Sequence, residues 1–337
     1  MDIIWAGLLR NFHHLMDLLF SSGSQFSVTS LGSALVVAAG FFAWQRYRRH
    51  RRLRMATLIR ALFPKRITRS PSTVADIGYF LFNVFVYAGI FGVVAVSYQF
   101  LTNAVISGLV FTFGPVTPTT LPDIVSRPII TLVLFLAYEF GYWVDHYLKH
   151  RVPVLWELHK VHHTAEVLTP LTTFRVHPLD TWIFGNILAV SIALANGVMH
   201  YAFGDTAYQY ALSGTNILLI VFVHIYVHLQ HSHVWIAFRG LLGRVFLSPA
   251  HHQVHHSTNP VHFNKNLGSC LAVWDWLFGT LHVPAKEREK LTFGVEPAYP
   301  DAHTITGEFL KPFGRAFNTL LAMLPKRTPP VADRQPG

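Results

Sequence analysis

The segment "HKVHH", residues 159–163, places three histidines in five positions, and "HHQVHH", residues 251–256, repeats the H-x-x-H-H spacing some ninety positions later. On a helix, His159, His162 and His163 fall at i, i+3 and i+4, as do His252, His255 and His256, so each motif presents its imidazoles from one face. "HYLKH" adds His146 and His150 as an i, i+4 pair. "VHIYVHLQHSHV" brings His224, His228 and His231 at i, i+4 and i+7, with His233 just beyond. Imidazole is uncharged near neutral pH and carries a free lone pair, which makes it the commonest protein metal ligand. One such pair at a membrane interface is more often structural. Two H-x-x-H-H motifs, an H-x-x-x-H pair and a third histidine stripe on one side of a membrane point to a metal centre. His13, His14, His50, His200, His262, His282 and His303 join no such pattern and are assigned ordinary structural or surface roles.

Composition sets the surroundings of these residues. The 337-residue chain is 51% hydrophobic and 13% charged, with a mean hydropathy of +0.35, against about 25% charged residues in a soluble domain. That is the composition of a membrane protein. Histidines number 21 against 17 Asp plus Glu, and Cys270 is the one cysteine. An internal disulfide and a thiolate-rich zinc or iron–sulfur site are thereby excluded, so any metal must take N and O ligands. The net charge of +10 sits in short basic runs beside apolar stretches, which reads as membrane topology rather than nucleic-acid binding.

The elements that must position the histidines follow from the apolar runs. Residues 28–44 form a first span followed by "QRYRRHRRLRM", a basic run that marks the cytoplasmic end. Residues 75–101 form a second span, 128–148 a third, 180–203 a fourth and 207–229 a fifth, with a short "GDTA" turn between the last two. The proline-containing stretch "GPVTPTTLPDIVSR" suits an external connection, and "VISGLVFTF" before it dips into the interface. In "LSPAHH", Ser248 is a helix N-cap and Pro249 the first helical residue. The fold class expected is all-α: an integral membrane bundle of about five spans, or four with an interfacial segment, carrying a cytoplasmic helical cap that holds the histidines. Residues 1–74 make an N-terminal segment, 75–285 the catalytic domain and 286–337 a cytoplasmic tail. The active site and C-terminus are expected on the cytoplasmic face, in a bacterial inner membrane.

The order of these motifs, ending in "SPAHHQVHHSTNP", "NKNLG" and "WDWLFGT", resembles the fatty acid hydroxylase and sterol desaturase superfamily over roughly residues 75–285. The resemblance implies a histidine-ligated di-iron centre that activates O2 and hydroxylates or desaturates a lipid C–H bond, with zinc able to replace iron in purified material. It further implies His146, His150, His159, His162, His163, His252, His255 and His256 as metal ligands. The middle set is taken from His224, His228, His231 and His233, with His228 and His231 preferred.

Carboxylates that balance charge and orient imidazoles are expected nearby: Glu139, seven residues before His146 on the same helical face, and Asp145 are the catalytic candidates, with Glu157 and Asp275 as others. An interfacial capping or ion-pair role fits each equally well. Arg175 and His177 in "FRVHPLD" are placed to hold lipid headgroups or to snorkel at the interface. A zinc-dependent lipid hydrolase and a metal-transporting or metal-sensing membrane protein are the competing readings. Hydrolytic sites mix carboxylates into the ligand set, and transport favours ionisable groups at mid-membrane depth. No G-x-G-x-x-G nucleotide fingerprint is present, so electrons are expected from a separate ferredoxin or cytochrome b5-like protein, with a lipid as substrate and no nucleic acid as partner. The topology is directly testable: a reporter fused after Gly337 should read cytoplasmic and one inserted near Pro118 external, whereas opposite sidedness of positions 160 and 250 would rule out a shared site.

Overall fold

The computed structural model describes residues 2–324 except 22, 25, 88–96, 118, 120, 205–207, 298–300 and 305. Among them the fold is almost entirely helical. Helix α1 is Asp2–Phe20, and α2, Val28–Arg48, starts where the Ser27 side chain accepts from the Ser30 N–H at 3.2 Å. Its last turn carries Arg46 and Arg48, opposite in sign to the helix dipole there. The chain continues through α3 (Met55–Leu62) and α4 (Pro71–Phe82), the latter extended by a π-turn at Asn83–Tyr87. Next come α5 (Tyr98–Phe113), α6 (Asp123–Arg151) and α7 (Pro153–His163). Helix α8 (Pro178–Phe203), α9 (Ile217–Gln230), α10 (Pro249–His255) and α11 (Lys311–Met323) complete the principal elements.

Among the described residues three helices, α2, α6 and α8, are long and apolar enough to cross a bilayer. At about 1.5 Å per residue, the 21 residues of α2 reach roughly 30 Å, the thickness of a hydrocarbon core. The expectations for the other spans change in form. The interval 75–101 is covered by α4, the π-turn and the start of α5, and its central part lies outside the described residues. The "VISGLVFTF" segment is the second half of α5, an apolar helix packed along α8, rather than a separate interfacial piece. The span expected at 207–229 is replaced by a two-stranded antiparallel hairpin, Ala211–Leu212 with Thr215–Asn216, followed by the shorter helix α9. Ser213 and Gly214 take φ of 48° and 80°, the left-handed pair that a two-residue hairpin turn needs.

Close helix approach depends on small residues. A Cβ built on Gly197 of α8 would lie 2.6 Å from Val105 Cβ of α5, and one on Gly141 of α6 would lie 2.8 Å from Ser191 Cβ of α8. Where apolar burial between helices gives little driving force, such van der Waals fit and cross-helix hydrogen bonds carry the packing. Ser191 Oγ accordingly donates to Ala137 O at 2.7 Å, and Ser33 Oγ of α2 donates to His224 O of α9 at 2.6 Å. The C-terminal α11 packs on α7, tied by Arg315 Nε to Glu157 Oε2 at 3.1 Å. Residues 306–323 thus brace the helix that bears the HKVHH motif.

Because the added methyl has no room, Gly197→Ala should destabilise the bundle by about 1–3 kcal/mol. Gly108→Ala, where no atom lies within 4 Å of the new Cβ, should be neutral or slightly stabilising. Thermal unfolding in detergent compares the two, and an equal loss at both positions would refute the packing argument.

Candidate metal centre

Consecutive histidines on a helix point about 100° apart, and the structure uses that angle to sort the imidazoles into two groups. His146, His150, His159, His163 and His255 offer ring nitrogens that all lie within 4.8 Å of one another, and His162, His231, His252 and His256 form a second such set. The two H-x-x-H-H motifs are used in complementary fashion. His159 and His163 of α7 join the first group while His162 joins the second; His252 and His256 at α10 join the second while His255 joins the first. The groups adjoin, with the rings of His163 and His256 4.6 Å apart between centroids.

The nitrogens are prepared to bind a cation. In the first group the Nε2 atoms of His146, His150, His159, His163 and His255 are buried and have no hydrogen-bond partner. For three of these rings the opposite nitrogen is engaged: His146 Nδ1 donates to Leu267 O at 2.8 Å, His255 Nδ1 to Lys265 O at 2.8 Å and His159 Nδ1 to Asp180 Oδ2 at 3.0 Å. A carbonyl or carboxylate oxygen can only accept, so the proton sits on Nδ1 and a bare lone pair faces inward at Nε2.

In the second group the four Nε2 atoms stand 2.9–3.2 Å apart along the contacts His252–His231, His231–His162, His231–His256 and His256–His252. Four neutral imidazoles cannot supply donors for all of these, since His162 Nδ1 already donates to Arg175 O at 3.3 Å. Metal–nitrogen bonds of about 2.0–2.1 Å would place neighbouring ligand nitrogens about 2.9–3.4 Å apart, so the spacing fits one ion. Burial, reinforced by neighbouring imidazoles, holds the pKa values of His162, His163, His252 and His256 well below the usual histidine value, and those of His231 and His255 at about 3. All six are therefore neutral at physiological pH, the form a metal requires.

The remaining expected residues lie elsewhere. His228 joins neither group; its Nε2 meets Ser30 Oγ of α2 at 3.1 Å. His224 Nδ1 donates to Ile220 O, and His233 Nε2 donates to Ala61 O at 2.6 Å. The reason the i, i+4, i+7 stripe does not hold is a π-turn at Val223–Val227, which rotates later side chains about the axis, and the end of α9 at Gln230, after which His231 leaves helical backbone at φ −95°, ψ 70°. Ser248 and Pro249 begin α10 as expected, and His251 completes the cap: its Nδ1 accepts from the Ser248 N–H at 3.2 Å and its Nε2 donates to Gly243 O.

Glu139 and Asp145 do not hydrogen-bond to any imidazole. Glu139 Oε2 accepts from the N–H groups of Cys270 and Leu271 at 2.9 and 2.8 Å, and Asp145 pairs with Lys149 at 2.6 Å. Asp275 accepts from the N–H groups of Leu267 and Gly268, both at 2.8 Å, and Glu157 pairs with Lys160. Glu139 and Asp275 thus hold the 267–271 backbone whose Leu267 carbonyl orients His146, an action at one remove from the ligands. The carboxylate that does meet a ring is Asp180, in the first turn of α8, which also pairs with the buried Lys149. Its position as an ionisable residue at the head of an apolar helix is the sequence signal that could have found it.

Arg175 does not reach a headgroup or the interface. It is fully buried, donating from Nε to Asp76 Oδ1 at 2.7 Å and pairing with Glu308 at 3.2 Å, while His177 caps α8 and meets Phe309 O. A cavity of 630 Å³ opens onto both groups, with His150, His163, His255 and His256 in its wall beside Trp156, Phe263 and Pro297.

Residues 131–280, which contain both histidine groups, match the fatty acid hydroxylase family. Alkylglycerol monooxygenase of Homo sapiens is 30% identical over 164 residues, 48% of this chain and 32% of that protein. Ornithine lipid hydroxylase OlsE of Rhizobium tropici is 31% identical over 157 residues, 47% and 43% of the two chains. Delta(7)-sterol-C5(6)-desaturase of Nicotiana tabacum is 28% identical over 173 residues, 49% and 54%. The matches thus span about a third to a half of these relatives. No solved structure matches the chain.

The partition into two groups predicts separable metal losses. His231→Ala should lower the metal-to-protein ratio by about one equivalent and His159→Ala by another, while His228→Ala should retain both. Asp180→Asn, which weakens the support of His159, should reduce affinity about 10–100-fold. Elemental analysis of folded, detergent-purified variants decides, and full occupancy in His231→Ala would exclude its ring as a ligand.

Proposed function

We propose that this chain, whose residues 131–280 match the fatty acid hydroxylase family and resemble lipid hydroxylases and a sterol desaturase, is a membrane-bound, non-haem oxidoreductase that uses O2 to hydroxylate or desaturate a lipid C–H bond. The observation that carries the reading is the division of nine imidazoles, eight of them buried, into two adjoining groups of convergent ring nitrogens. His146, His150, His159, His163 and His255 would hold one iron ion and His162, His231, His252 and His256 the other, with zinc able to occupy the same nitrogens. When bound, the two ions supply the activation of O2 that no side chain of this protein can supply.

The chain's own residues set the conditions for that chemistry. The Leu267, Lys265 and Arg175 carbonyls and the Asp180 carboxylate keep the protons of four imidazoles on Nδ1, so that their Nε2 atoms stay available. Burial keeps water from competing for the nitrogens. The cavity admits a substrate to the shared edge of the two groups, where Trp156, Phe263 and Pro297 offer apolar contact to a hydrocarbon chain. Neither group contains a carboxylate, which disfavours the hydrolase reading, because hydrolytic zinc sites draw on one. Electrons come from a separate ferredoxin or cytochrome b5-like protein, and the site faces the cytoplasm of a bacterial inner membrane.

The test is turnover in proteoliposomes with a reduced ferredoxin system and isotopically heavy O2. Label should enter the lipid as a hydroxyl, or a new double bond should appear with matching O2 consumption, and His162→Ala should abolish either without loss of the folded protein. Release of fatty acid or headgroup without O2 uptake would overturn the proposal.

A further inference from the structure

A second concentration of ligand-type side chains lies outside the nine imidazoles. His262 ends the short turn Pro260–His262, which Asn259 caps. Its side chain is buried at 4% exposure, and its Nδ1 has no hydrogen-bond partner. The ring of His282 stands 4.9 Å from it between centroids, inclined at 64°. Glu289 Oε2 is 3.7 Å from His262 Nε2, too far for a hydrogen bond and close enough to share a cation. One ligand atom from each of His262, His282 and Glu289 falls within 4.8 Å of the others.

The backbone around the three is held in place. The His282 N–H donates to Asn266 Oδ1 at 2.8 Å, and Asn266 Nδ2 donates to His251 O at 3.0 Å, so the segment carrying His282 is fastened to α10. Glu289 Oε1 accepts from the Ala285 N–H at 3.1 Å, which fixes one carboxylate oxygen and leaves the other directed at His262. The Glu289 side chain is 26% exposed, so an ion can reach the group from solvent without entering the cavity of the nine histidines.

We propose that His262, His282 and Glu289 form a third metal site, separate from the two histidine groups, that takes a single divalent first-row transition ion such as Zn²⁺. Two imidazoles and a carboxylate are a ligand set that zinc accepts with solvent completing its shell. The carboxylate also contributes negative charge that neither histidine group has among its ligands. The site would pin the 260–263 turn, whose Pro260 and Phe263 line the cavity, to the segment 282–289.

The experiment is a zinc titration of the full chain, purified in detergent and stripped with a chelator, read as bound zinc per chain after removal of free ion. Wild type should take up three equivalents. His282→Ala and the milder Glu289→Gln should each take up two, with the lipid-oxidising activity of the iron-loaded protein unchanged. A chain carrying both His159→Ala and His231→Ala should keep one equivalent that Glu289→Gln then removes, which separates this site from the nine-histidine centre. Saturation of wild type at two equivalents, or unchanged uptake in both His282→Ala and Glu289→Gln, would overturn the proposal.

Discussion

Nine imidazoles packed with their ring nitrogens facing one another are the constraint that the rest of the structure serves. Nitrogen lone pairs brought to 2.9–3.2 Å repel wherever no proton lies between them, and eight of the nine rings are buried as well. Such an arrangement relies on contacts behind five of the rings, while the Nδ1 atoms of His252 and His256 have no hydrogen-bond partner. Leu267, Lys265 and Arg175 supply backbone carbonyls for that purpose, Asp180 supplies a carboxylate and Thr173 meets His231 Nδ1 at 3.2 Å. These contacts also choose the tautomer, so orientation and availability of the ligand nitrogen have one cause.

The supports need supports of their own, and the buried charges provide them. Glu139 and Asp275 accept four backbone N–H groups across residues 267–271 and so locate the Leu267 carbonyl. Asp76 and Glu308 engage the Arg175 guanidinium, whose own backbone carbonyl meets His162. Lys149 lies between Asp145 and Asp180, which fixes the carboxylate behind His159. Removing one partner of a buried pair leaves an uncompensated charge and costs about 3–5 kcal/mol, so these contacts are strict even where they do not touch a ligand. Glu308 belongs to the turn before α11, and the C-terminal region is thereby tied into the same network.

Helix geometry distributes the histidines between the two groups. An i, i+4 pair faces one way and the residue beside its second member faces about 100° round, so one H-x-x-H-H motif can serve two ions at once. Two such motifs on α7 and α10 give each group three of its nitrogens from only two elements. The long helix α6 supplies the i, i+4 pair His146 and His150 to the first group, and its close fit to α8 through Gly141 sets Asp180 beside His159.

Local sequence determined much of this protein. Apolar runs located the long helices α2, α6 and α8, Ser248 and Pro249 announced the start of α10, and eight of the ligand-type histidines stood out by spacing, because helical periodicity is a short-range property. Spacing also pointed to a stripe of His224, His228 and His231, of which only His231 reaches the site. The π-turn that breaks the stripe is stabilised by contacts of α9 with α2, residues nearly two hundred positions apart. Which carboxylate stands behind an imidazole was likewise decided by tertiary packing. Seven residues along one helix point to Glu139, whereas the carboxylate that meets His159 is Asp180, which arrives from the next helix across a loop. The chain's spacing names the groups that can bind a metal; only the packing of distant segments decides which nitrogen each one turns inward.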